Sequence, residues 1–110
     1  MREHYWLVLS RDPCEGGSAV RCGELARGLA RAGHDVTLFL VQNGVLGARV
    51  GARVEALAGL REHGVVQLAD EFSLRERGIP AARIAKDVEI VALDAVIDAL
   101  SGGAKVLWTA

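Results

Sequence analysis

Four consecutive apolar residues, Leu38, Phe39, Leu40 and Val41, run directly into Gln42, Asn43 and Gly44. A strand that is apolar at every position has no solvent face, so it requires a sheet covered on both sides. The amides of Gln42 and Asn43 and the permissive backbone of Gly44 fall where that strand would stop. In open parallel sheets, ligands bind at the carboxyl ends of the strands. One segment therefore constrains the layering of the fold and marks a candidate working edge.

The same kind of run recurs along the chain. Residues 5–9 read as a first buried strand, 36–41 as the second, 65–69 as the third, 88–91 as the fourth and 105–109 as the fifth. Helical spacing fills the intervals. Cys22, Leu25, Ala26, Leu29 and Ala30 fall three and four apart, with Arg21, Glu24, Arg27 and Arg31 on the opposite, solvated side. Ser18 is placed to cap that helix and Gly33 to stop it. A second helix is expected over 48–63, with Val50, Val54, Leu57 and Leu60 along one side, although Gly51 and Gly59 each weaken it by about 1 kcal/mol. Residues 70–77 read as a third helix broken by Gly78 and Pro80, and 94–100 as a fourth stopped by Gly102 and Gly103. The order β-α-β-α-β-α-β-α-β predicts an α/β fold: one five-stranded parallel sheet with helices on both faces, doubly wound in the flavodoxin-like manner.

Composition narrows the function classes. At 110 residues the chain fits one domain, 1–110, with a core that needs no disulfide or metal. A formal net charge of −1 gives no footprint for nucleic acid or an anionic membrane. The apolar stretch at 5–9 is too short for a secretory signal, and no run approaches the length of a membrane span. Two cysteines do not make a four-ligand zinc site. The expectation is a cytoplasmic, reduced protein with no metal and no cofactor.

Several residues carry candidate chemistry. Cys14 lies between the first strand and the first helix, where a helix N-terminus favours a thiolate. Asp12 and Glu15 oppose that effect. A phosphatase loop needs arginine six residues after the cysteine, and Val20 stands there instead. A reactive Cys14 and an incidental loop cysteine both stay open. Cys22, on the apolar helix face, reads as an inert core thiol. The Gly16-Gly17-Ser18 turn lacks the spacing of a dinucleotide or P-loop fingerprint and reads as a tight connection. Asp70 and Glu71 follow the third strand, where carboxylates do acid–base work or, more commonly, cap a helix. His4, His34 and His63 are scattered and read as surface residues.

Taken together, Leu7-Val8-Leu9-Ser10, the stretch from Leu29 through Gly33-His34-Asp35-Val36, the 39–46 segment and Leu74-Arg75-Glu76-Arg77-Gly78-Ile79 resemble the DsrE/DsrF-like sulfur-relay family. The resemblance covers nearly the whole chain. It implies a small parallel α/β domain assembled as a homo-oligomer, a trimer or hexamer, with a sulfur-relay protein as partner. In sulfur-carrying members, a cysteine follows the third strand. That place falls here on Asp70, and a carboxylate cannot undergo thiol–disulfide exchange.

Three readings follow from the sequence. In the first, the protein is a non-catalytic binding or structural subunit of sulfur metabolism, with Asp12, Gln42, Asn43, Gly44 and Asp70 as the ligand-binding set. In the second, Cys14 replaces the missing cysteine as the persulfide carrier. A flavodoxin-like receiver or hydrolase is the third, and it lacks the lysine or metal-site pattern such chemistry wants. The first two readings expect Asp12, Cys14, Asn43 and Asp70 to share one pocket.

Overall fold

The computed structural model describes residues 2–52 and 54–109. Five strands form a single sheet: β1 (His4–Leu9), β2 (Asp35–Leu40), β3 (Val66–Asp70), β4 (Val88–Val91) and β5 (Lys105–Thr109). Their order is β4-β3-β2-β1-β5, and all four pairings are parallel. The expected α/β architecture is present, with helices α1 (Ser18–Arg31), α2 (Glu71–Glu76) and α3 (Asp94–Ser101).

Handedness explains the layering. The first three crossovers step in one direction across the sheet, so right-handed connections place them all on one face. That face buries Leu7, Leu9, Leu38, Leu40 and Ala69 beneath α1, the β2–β3 connection and α2. The last crossover leaps from β4 back past β1, so α3 must lie on the other face. There Trp6, Val8, Phe39 and Leu68 are buried, with Ala95, Val96 and Ala99 of α3 packed against them. Leu38 and Phe39 point to opposite faces and are both buried, as an all-apolar central strand requires.

Four local expectations are corrected. First, residues 48–63 form no α-helix. The connection is built from short 3₁₀ turns at Gln42–Ala48, Glu55–Leu57 and Arg61–His63. Gly51 and Gly59 sit at φ +83° and +77°, a left-handed conformation that interrupts a right-handed helix. Arg53, inside that segment, lies outside the described residues. Second, Ser18 is the first helical residue of α1, and Gly17 occupies the cap position with no side-chain bond. Third, Arg27 leaves the solvated face. Its guanidinium donates to the carbonyls of Ala56 and Ala58, both at 2.9 Å, while Leu25 is exposed. The cause is Gly23: a Cβ there would lie 2.1 Å from the Ala56 oxygen, so only glycine lets this connection seat on α1. Fourth, His34 is half-buried, and its Nδ1 accepts the Glu3 N–H at 3.0 Å.

Candidate functional site

The carboxyl edge of the sheet brings together the ends of β1, β2 and β3, because these strands are neighbours. The 3₁₀ turn after β2 starts at Gln42, whose φ of +50° is the only positive value at a non-glycine among the described residues. Gln42 and Asn43 are exposed and Gly44 is buried. A Cβ on Gly44 would sit 2.0 Å from the carbonyl oxygen of Leu9. The absence of that atom lets the turn close onto the end of β1, so Gly44 shapes the edge through packing.

Asp70 ends β3 and caps α2. Its Oδ2 accepts the Ser73 N–H at 3.0 Å and the Ser73 hydroxyl at 2.6 Å. The Ser73 hydroxyl in turn accepts the Gln42 N–H at 2.8 Å, which holds the unusual Gln42 backbone in place. Arg77 donates through Nε to Asn43 Oδ1 at 3.1 Å and through Nη1 to the Ser73 carbonyl at 3.2 Å. Gln42, Asn43 and Asp70 thus belong to one network joined by Ser73 and Arg77. Asp70 is only 6% exposed, and its Oδ1 is buried with no hydrogen-bond partner among the described residues. An unmet buried acceptor costs about 1–3 kcal/mol, more when charged, so this oxygen is a place where an incoming donor would gain.

Ser73 was not among the residues singled out from the sequence. Its position three after Asp70 is a cap-and-partner spacing that could have flagged it. Asp70 performs the capping expected of an acid at that point, and it also holds the edge of β2.

The β1–α1 loop forms a separate arrangement. The Asp12 carboxylate accepts the Cys14 N–H at 2.9 Å, and the Asp12 carbonyl accepts the Glu15 N–H at 3.0 Å. These bonds make a side-chain-stabilised turn that leaves Cys14 exposed. Pro13 is buried against the turn after β2, where a Cβ on Gly47 would meet its Cγ at 2.8 Å. The two loops therefore touch through Pro13. No hydrogen bond or ion pair among the described residues links Asp12 or Cys14 to Asn43 or Asp70.

Cys22 is fully buried on the inner face of α1, and burial pushes its thiol up while a bond from Thr109 partly offsets this. No group of three or more potential metal ligands occurs among the described residues. No helix among them is long and apolar enough to cross a membrane.

The sequence profile of the DsrE/DsrF-like family matches residues 4–109. No curated protein matches the chain. Among solved structures, the protein of unknown function MTH1491 from Methanobacterium thermoautotrophicum is similar, with a TM-score of 0.86 at 14% identity over 96% of this chain and 98% of that one. The ychN protein from E. coli is similar with a TM-score of 0.81 at 20% identity, over 98% of this chain and 99% of that one. At such identities these two likenesses speak for the fold.

Proposed function

The chain belongs to the DsrE/DsrF-like family, and from that premise we propose that it serves sulfur relay as a binding or structural subunit rather than as a persulfide carrier at the usual place. One observation carries this reading. Asp70, which by the resemblance falls where the sulfur-carrying members have cysteine, is buried and keeps one carboxylate oxygen without a hydrogen-bond partner among the described residues. A carboxylate offers no sulfur–sulfur exchange, but an unpartnered acceptor beside the exposed amides of Gln42 and Asn43 suits a ligand or partner that donates hydrogen bonds.

Ligand binding would appear as thermal stabilisation. A ligand at one hundred times its Kd stabilises by about 2.7 kcal/mol. A screen of sulfane-sulfur compounds and purified sulfur-relay proteins is expected to raise Tm, and Asn43→Ala is expected to abolish the rise. A flat response across the screen counts against the reading.

The exposure of Cys14 on the neighbouring loop supports a second reading, in which Cys14 carries the sulfur. Its thiolate would attack the terminal sulfur of a donor persulfide. The new S–S bond forms at Cys14, and the donor's S–S bond breaks with its electron pair leaving on the donor thiolate. Intact mass after incubation with such a donor separates the readings. An added sulfur that is lost in Cys14→Ser and kept in Cys22→Ser supports the carrier, and an unchanged mass removes it.

Self-association belongs to the same proposal. The outward side of α3 and its approach carry Leu93, Ile97 and Leu100, each more than half exposed, and Trp108 on β5 is 61% exposed. Apolar surface of this kind is what contact with further copies would cover. Trimers or hexamers are the assemblies expected, with a sulfur-relay protein as the external partner and the cytoplasm as the location.

A further inference from the structure

A cavity of about 570 Å³ lies away from the Asp70 edge, between the connection after β2 and the segment that follows α2. Among the described residues, its charged lining is Arg49 and Arg83, with no carboxylate. Val50, Ile79 and Pro80 supply apolar wall. Two arginines lining one space depend on the backbone to hold their segments side by side. Here a two-rung clip does so: the Val50 N–H donates to the Arg83 carbonyl at 2.6 Å, and the Ala85 N–H donates to the Ala48 carbonyl at 2.9 Å. These bonds make Arg49 and Ile84 an isolated antiparallel bridge.

Neither arginine has an ion-pair partner among the described residues. Arg49 Nε donates to the Leu46 carbonyl at 2.8 Å, which orients the guanidinium and leaves its terminal amino groups unengaged among the described residues. Arg83 makes no side-chain hydrogen bond or ion pair among them. Gly51, at φ +83°, lets the backbone turn at the cavity wall, where the Ala52 N–H donates back to the Arg49 carbonyl at 3.0 Å. Two arginines on clipped neighbouring segments, with no ion-pair partner among the described residues, offer planar guanidinium donors suited to an oxyanion. The volume falls within the range of ligand cavities, about 300–1,000 Å³, and exceeds what a bare ion fills.

We infer that this cavity binds a small doubly charged oxyanion, either free or as the head group of a compact organic molecule, between Arg49 and Arg83. The apolar wall of Val50, Ile79 and Pro80 would seat the organic part. The site stands apart from the sulfur-relay reading, because none of its residues belongs to the Asp70 network.

Backbone amide NMR on the intact protein tests it. Inorganic phosphate, thiosulfate and glycerol phosphate are titrated separately at low ionic strength. Saturable shifts are expected at the amides of Val50, Gly51 and Ile79, weakening as salt is raised. Arg83→Gln is expected to weaken binding at least tenfold. Its side chain makes no hydrogen bond or ion pair among the described residues, and an unchanged Tm in this variant separates that loss from unfolding. Arg49→Lys tests the second arm while keeping its charge, and a several-fold loss is expected because lysine lacks the fork. Arg61→Gln, outside the cavity, should change nothing. Binding of either inorganic ion identifies a free oxyanion, and binding of glycerol phosphate alone identifies a head group. No saturable shift with any probe, or unchanged affinity in Arg83→Gln, overturns the inference.

Discussion

The two faces of the sheet are built from the same strands and reach different states of completion. One face is closed by α1, the β2–β3 connection and α2 together. The other is covered by α3, which has 8 residues and is therefore about 12 Å long. A five-stranded sheet is roughly 20 Å across, at about 4.8 Å per strand, so one short helix cannot span it. α3 also presents Ala95 and Ala99 inward, while Leu93, Ile97 and Leu100 face out. Topology dictates this imbalance: three crossovers step one way and one returns. One face is finished by the chain itself, and the other carries apolar surface on both sides of α3.

The largest expected effect tests the finished face. Leu38 is fully buried there, and Leu38→Ala should destabilise the monomer by about 3–5 kcal/mol in denaturant unfolding. A loss below about 1 kcal/mol would mean that this face is looser than its burial implies. Next comes the seat of the β2–β3 connection. Gly23→Ala places a Cβ 2.1 Å from the Ala56 carbonyl and should cost about 1–3 kcal/mol, with the Arg27 bonds to that connection weakened as well. An unchanged midpoint would show that the connection can lift without consequence, and the contrast between the faces would then rest on α1 alone.

These two sites also show where the sequence was readable. The strands were legible because central parallel strands must be apolar throughout, and residues 38–41 are. The span at 48–63 reads as a helix because Val54, Leu57 and Leu60 have helical spacing, while Gly51 and Gly59 adopt left-handed conformations that spacing does not reveal. Arg27 was assigned to solvent because its neighbours on the helix are polar. Its true partners come from a segment some thirty residues on. At the candidate site, Asn43 and Asp70 were legible from their place at strand ends. Ser73, which joins them, depends on how β2 and β3 lie side by side, and only the fold supplies that.

A smaller effect is expected from Asp70→Ala. The cap on α2 and the support for Gln42 disappear together, and a lost cap costs about 0.5–2 kcal/mol. Part of this is offset, because the variant also removes the unpartnered Oδ1. Asp70→Asn keeps an acceptor for Ser73 and should lie nearer the parent. Thiol accessibility probes the same contrast without a mutation. Native protein should react with one equivalent of a thiol reagent, at Cys14, and denatured protein with two. Cys22 is fully buried, and burial raises its thiol pKa, so the reactive thiolate is scarce as well as inaccessible. Two fast equivalents in the native state would mean that α1 opens readily.

The smallest effect on folding is expected at α3, and it tests the comparison most directly. Ile97 is 58% exposed, so Ile97→Ser removes little buried area and should shift monomer stability by less than about 0.5 kcal/mol. Association should respond instead. If the open face is covered by further copies of the chain, Ile97 becomes core at that contact, and the variant should sediment as a smaller species than the parent at the same micromolar concentration. Pairing Ile97→Ser with Trp108→Ser should complete the dissociation. The sign of each result is informative. A parent that already sediments as a monomer removes self-association as the cover for this face. A large folding loss in a monomeric Ile97→Ser variant would instead show that α3 packs inward through Ile97, and that the second face is closed by the chain after all.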